Sequence, residues 1–203
     1  MKRAISRVVF TDLVFLLMLT LCGTVENKVI SDILYYAAFL IPTGLGLALI
    51  SRARAEMRED DKPDAEISFG LRSGELLRLA PLLLPSVTLI FLLSYLTSLG
   101  LGAMGFVQDT SIEEPFLLAI VIHALLPALL EEGLFRYIPM KLLLPYSKKW
   151  TVILSALFFA LIHTNLFQLP YAFAAGVIFL LLDISFGSII PSVILHFINN
   201  LLF

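Results

Sequence analysis

Cysteine is almost absent from this chain. Cys22 stands alone among 203 residues, which excludes an internal disulfide and any cysteine-based zinc site. Cys22 itself is expected to pack as a small apolar side chain. Charge is scarce as well: Asp, Glu, Lys and Arg make up 15% of the chain, and the net formal charge is −2. No basic cluster interleaved with aromatics occurs, so nothing points to nucleic acid as a partner. Internal repeats, low-complexity segments and an HExxH zinc motif are also missing. The basic start MKRAISR and the apolar stretch after it resemble a signal peptide, but no small-x-small cleavage site follows. Leu21 before Cys22 spoils a lipoprotein-type site, and the segment is expected to stay as a first helix.

What the chain has in excess is apolar length. Hydrophobic residues reach 59% and mean hydropathy is +0.95, against roughly 45–50% apolar content in ordinary globular proteins. The apolar residues fall in blocks at 8–24, 29–50, 76–101, 115–144, 150–166, 170–184 and 187–203. Each approaches the ~20 residues needed to cross a bilayer, although the last three are short. The fold class this predicts is all-α: a polytopic membrane helical bundle of about seven transmembrane helices. The main polar interruption, RARAEMREDDKPDAEISFGLRSGE at 52–75, is mixed in sign and broken by Pro63. It reads as a charged loop rather than a domain, within an N-terminal region of transmembrane helices at 1–114.

The basic residues orient the bundle. Lys2, Arg3 and Arg7 precede the first helix. Arg52, Arg54, Arg58, Lys62, Arg72 and Arg78 surround the second connection, and Arg136, Lys141, Lys148 and Lys149 follow the fourth block. With seven helices and a cytoplasmic N-terminus, only Lys28 of the fourteen Lys and Arg lies outside, a strong positive-inside bias. The opposite connection FVQDTSIEEP carries only acids. The expected location is a multi-pass position in a cell membrane, and the compact chain favours a bacterial one.

Against that apolar background, LLEEGLF at 129–135 places Glu131 and Glu132 side by side. The fourth helix is read from Pro115 to a stop near Pro145, with kinks at Pro127 and Pro139. Glu131 then lies about fourteen residues, roughly 20 Å, from the cytoplasmic end. Ionised acids at such depth cost about 2.5–3.5 kcal/mol each on insertion scales and are rare unless paired or used. Glu132 and Arg136 are four apart with the acid first, the favourable order for a helical ion pair. Glu131 points about 100° away and needs a partner from elsewhere.

Two histidines lie at comparable depth. His163 ends a helix in FFALIHTN, and His196 sits in ILHFINN with Asn200 one turn later on the same face. Burying such groups without partners is costly. The third histidine, His123, is read as bland, bonding to backbone freed by Pro127 or lining the outer end of a cavity. Asp12, Asp32 and Asp183 are placed near helix ends, where they reach headgroups or water and need no function. Gly44 and Gly46, with Pro42, are expected to permit close packing or a kink in the second helix.

EEGLFR at 131–136, FALIH at 159–163 and HFINN at 196–200 fit EExxxR, FxxxH and HxxxN in that order on separate apolar segments. Together they resemble the CPBP family of intramembrane proteases, which includes the CAAX prenyl endopeptidases and bacterial relatives linked to bacteriocin and signal-peptide processing. The resemblance covers roughly 115–203 and implies a catalytic core there. It implies that Glu131 activates water with help from His163, that His196 and Asn200 stabilise the oxyanion, and that Glu132 and Arg136 give support. It implies no cofactor and no metal. The implied partners are the lipid bilayer and a peptide or lipidated protein substrate; the oligomeric state stays open.

The residues themselves fit direct attack by water, since no serine, cysteine or aspartate dyad stands beside them. Other readings remain at this point. Two histidines and a glutamate form a recognisable zinc set. Intramembrane Glu and His also serve transporters and non-catalytic membrane partners or immunity proteins. Polar groups can also simply join helices, at an average gain of about 0.6 kcal/mol per bond.

Overall fold

The computed structural model describes residues 1–56, 67–71, 74–106, 115–163 and 165–202. These residues form an all-α bundle of seven helices. Helix α1 is Lys2–Cys22, α2 is Lys28–Glu56 and α3 is Glu75–Ala103. Helix α4 runs from Phe116 to Leu143 as three α-helical segments, Phe116–Ala119, Leu126–Glu132 and Ile138–Leu143. The π-helical segments Ile120–Leu125 and Gly133–Tyr137 join them. Helices α5, α6 and α7 are Lys148–Ile162, Leu169–Phe186 and Ile190–Leu202. Five helices, α1 to α4 and α6, are long and apolar enough to cross a membrane. The expected seven spans are thus five by length. Helices α5 and α7 have 15 and 13 residues, or about 22 and 20 Å.

Proline placement accounts for the irregular α4. Each π-helical segment ends two residues before a proline, Pro127 or Pro139. Proline has no N–H for the carbonyl four residues back, and a π turn is one way the ladder absorbs that loss. For Pro139 that carbonyl belongs to Phe135, and the buried Ser155 hydroxyl on α5 donates to it. In a membrane no water can meet that need, so the donor has to come from a neighbouring helix.

An aromatic row crosses the bundle. Tyr35 and Phe39 of α2 meet at 5.3 Å, Phe39 meets Phe15 of α1 at 4.7 Å, and Phe15 meets Phe135 of α4 at 5.4 Å. Phe135 continues to Phe159 of α5 at 6.3 Å, and Phe159 to Phe179 of α6 at 6.3 Å. Small residues set the closest crossings, as expected where packing rather than water drives association. A Cβ on Gly176 of α6 would stand 2.9 Å from Ala156 Cα of α5, and one on Gly46 of α2 would stand 2.8 Å from Ile138 of α4. Gly44 has open space around it, so of the two expected glycines only Gly46 marks a close approach. Helix α3 is peripheral, with 11% of its apolar window buried against 39% for α6.

The ends of α1 and α2 lie together, where Arg7 and Glu56 form an ion pair at 2.7 Å. Of the 52–75 segment, residues 52–56 extend α2. Ser68 pairs with the α6–α7 turn, its N–H donating to Gly187 O at 2.9 Å and its carbonyl accepting from Ile189 N–H at 3.2 Å. Arg58, Lys62, Arg72 and most of the acidic connection at 106–115 lie outside the described residues.

Three sequence expectations need correction. Asp12 falls halfway along α1 and is 1% exposed, so it reaches neither headgroups nor water. Asp183 is near the end of α6 but fully buried, because its side chain turns inward to the first turn of α7. Arg136, counted above among the cytoplasmic charges, is also fully buried. Cys22 is buried as expected, its thiol donating to Ser31 O at 3.0 Å.

Gly176→Val is expected to lower stability by about 1–3 kcal/mol through overpacking against α5. Gly44→Ala is expected to leave stability unchanged or slightly raised. Unfolding of both purified variants in a denaturing-detergent titration measures the contrast; equal losses would contradict the packing described.

Candidate active site

The helices that carry the three motifs meet at one buried cluster. Glu131 and Glu132 occupy the last turn of an α-helical segment of α4. Arg136 follows in the adjoining π-helical segment. Glu131 is 7% exposed, Glu132 and Arg136 are fully buried, and His196 is 3% exposed. The structure therefore brings five of the six sequence-predicted side chains within reach of one another, with Asn200 one turn beyond.

Glu132 is tied on both sides. Its Oε2 lies 3.1 Å from Arg136 Nε, and its Oε1 lies 2.7 Å from His196 Nδ1. The Arg136 contact is a short ion pair whose angle falls outside hydrogen-bond geometry, and among the described residues neither Nη has a hydrogen-bond partner. Aromatic faces take that role instead. The guanidinium stands 4.0 Å from the centre of the Phe159 ring and 5.7 Å from that of Phe179. Cation–π attraction is strongest where water is excluded.

Phe159 also organises the histidines, meeting His163 edge-on at 5.0 Å and His196 at 5.4 Å. His163, the C-cap residue of α5, has Nδ1 2.8 Å from Phe159 O. A backbone carbonyl only accepts, so Nδ1 carries a proton, and in the neutral ring Nε2 is left with its lone pair. His163 shares the Phe159 ring with His196, which places it at the same cluster.

Glu131 is held differently. Among the described residues its Oε2 is buried without a hydrogen-bond partner, and the basic atom that approaches it is His196 Nε2 at 3.9 Å. That separation exceeds a hydrogen bond, and a water seated beside the gap can bond to both atoms. Tyr35 of α2 also lies within electrostatic reach of Glu131. Asn200 is half-buried, and its side-chain oxygen accepts from Asn199 Nδ2 at 3.4 Å. The Asn200 amide NH2 keeps the donors an oxyanion requires. Among the described residues no three His, Cys, Asp or Glu side chains form a grouping suited to a metal ion. His123 is exposed in the first π-helical segment of α4.

Sequence reasoning missed Phe159 as the arginine's platform, although it is the first residue of FALIH. It also missed Ser192, buried beside Glu132 and one turn before His196. Asp183 was set aside despite being the only acid in the apolar run of α6. That isolation was the available signal.

Comparison with known proteins adds one finding. Residues 113–202 match the family model for the Rce1-like type II CAAX prenyl endopeptidases, and the chain carries a domain of that peptidase family. No curated protein and no solved structure matches the chain.

Removing Arg136 alone leaves Glu132 buried beside His196 without its cation. Arg136→Met is expected to destabilise by about 3–5 kcal/mol, and Glu132→Gln in the same chain to recover part of that loss. A double-mutant cycle on purified protein tests the coupling. Strict additivity would show that the pair contributes no interaction energy.

Proposed function

From a C-terminal domain of this peptidase family, we propose that the chain is an intramembrane endopeptidase. It hydrolyses a peptide bond of a membrane-associated protein or peptide by direct attack of water. The observation that carries this reading is the unequal treatment of two adjacent carboxylates. Glu132 lies against both a guanidinium at 3.1 Å and an imidazole at 2.7 Å, whereas Glu131 meets His196 only at 3.9 Å and its buried Oε2 has no hydrogen-bond partner among the described residues. A carboxylate with an open coordination side, in a site that keeps bulk water out, is the group able to take a proton from a single positioned water.

In the proposed reaction Glu131 takes a proton from water as the oxygen attacks the scissile carbonyl. His163, its Nδ1–H spent on Phe159 O, offers Nε2 as a second acceptor that orients the water. His196 donates Nδ1–H to Glu132. As the imidazolium it also offers Nε2–H to the tetrahedral oxyanion, beside the NH2 of Asn200. Donors fixed before the reaction in a water-poor site lower the barrier more than the same groups in solvent. Collapse of the tetrahedral intermediate breaks the C–N bond. The proton held by Glu131 passes to the leaving amine, and the carboxylate is restored. Glu132 and Arg136 hold the helix and the His196 ring and do not touch the substrate.

The positive-inside bias supports a cytoplasmic N-terminus, with substrate tails entering from the cytosol, and the compact chain and its resemblance to the bacterial relatives favour a bacterial cell membrane. The substrates this reading favours are lipidated or membrane-bound peptides.

Purified protein in detergent, given a panel of quenched peptides with prenylated CAAX tails and bacteriocin-type leaders, is expected to cleave at least one class. Glu131→Ala should lower that cleavage by about 10²–10⁴-fold at unchanged folding. Equal cleavage by both proteins would mean another base or a contaminant, and silence from both would favour a non-catalytic membrane role. His196→Gln should lose about 10²–10³-fold if the ring donates to the oxyanion.

A further inference from the structure

Helix α7 carries His196 and Asn200, and its first turn has an unusual source of support. The N–H groups of a helix's first turn have no partner within the helix. In a membrane they cannot be left to water. Here each is accounted for. Ile190 N–H donates to Ser188 Oγ at 3.2 Å, Pro191 has none, and Val193 N–H donates to Ile189 O at 3.1 Å. The remaining donor, Ser192 N–H, would ordinarily be met by the side chain of the residue just before the helix. That residue is Ile189, which has no side-chain oxygen.

Asp183 supplies the acceptor from the preceding helix. Its Oδ1 lies 2.9 Å from Ser192 N, and the side chain is fully buried. Its backbone carbonyl accepts from Ser188 N–H at 3.2 Å and from the N–H of Gly187. Gly187 takes a left-handed φ of 62° that lets the chain turn back. One residue therefore grips the α6–α7 turn at both its backbone and its side chain. Ser192 is four residues before His196, on the same face, and His196 Nδ1 meets Glu132 at 2.7 Å.

We propose that Asp183 is a positioning residue for His196: by capping Ser192 N–H from α6, it sets the seating of α7 that brings His196 Nδ1 to Glu132. Its effect on turnover rests on the proteolytic reading above; its effect on the His196–Glu132 hydrogen bond does not. The carboxylate acts as an acceptor, so an amide oxygen at the same place can replace it.

Two readouts test this on the full-length protein in detergent. With ¹⁵N-labelled histidine only three imidazoles report, and His196→Gln identifies the deshielded Nδ1–H resonance of the hydrogen bond to Glu132. Asp183→Ala should abolish that resonance, and Asp183→Asn should keep it. In the cleavage assay, Asp183→Ala should lower kcat by about 10²-fold, the scale of a roughly 1 Å misplacement, with KM little changed. Asp183→Asn should keep most of the turnover. A folded Asp183→Ala protein that retains the resonance overturns the proposal. If Asp183→Ala does not fold, loss of the resonance in folded Asp183→Asn overturns it instead. Should the wild-type protein cleave nothing, the proteolytic reading falls, and the resonance alone decides the role of Asp183.

Discussion

A fully buried ion pair is the constraint around which this bundle is arranged. Glu132 and Arg136 carry opposite charges with no exposed surface, where losing either partner costs far more than the pair gains over an apolar replacement. The surrounding helices meet the demands of that pair. Phe159 of α5 and Phe179 of α6 present their rings to the guanidinium, and His196 of α7 reaches the second oxygen of Glu132. Helices distant in sequence are fixed relative to one another because each supplies something the pair lacks.

The same constraint separates the two glutamates. Successive residues on a helix point about 100° apart, so the arginine and histidine that flank Glu132 leave Glu131 on a different face. There it meets His196 Nε2 only at 3.9 Å, with His163 nearby. His196 links the two environments, one ring nitrogen on each glutamate. Its seating depends on α7, whose first turn draws on Asp183 of α6. The irregular course of α4 belongs to this arrangement as well. Pro139 frees the Phe135 carbonyl, and Ser155 of α5 binds it, which joins α4 to the helix that carries Phe159 and His163.

Much of this was legible in the residues because the chemistry is local to short motifs. The i, i+4 spacing of Glu132 and Arg136 announced their pair, and apolar blocks announced the helices. Glu131, His163 and His196 stood out because polar groups are expensive in hydrocarbon. Through-space relations were not legible. Helical spacing cannot show that His196 reaches across to Glu132, nor that the phenylalanine of FALIH lies under Arg136. Asp183 was misjudged because nearness to a helix end in sequence does not say which way the side chain turns. Asp12 was misjudged because α1 begins at Lys2, earlier than its apolar block.

The division of labour between the neighbouring glutamates is tested most directly by the unfolding free energies of Glu131→Gln and Glu132→Gln, measured side by side on purified protein. Glu132→Gln should be strongly destabilised, because it leaves Arg136 buried without its anion, while Glu131→Gln should fold as stably as the wild type or more so. Similar losses in the two variants, or a larger loss for Glu131→Gln, would contradict the account.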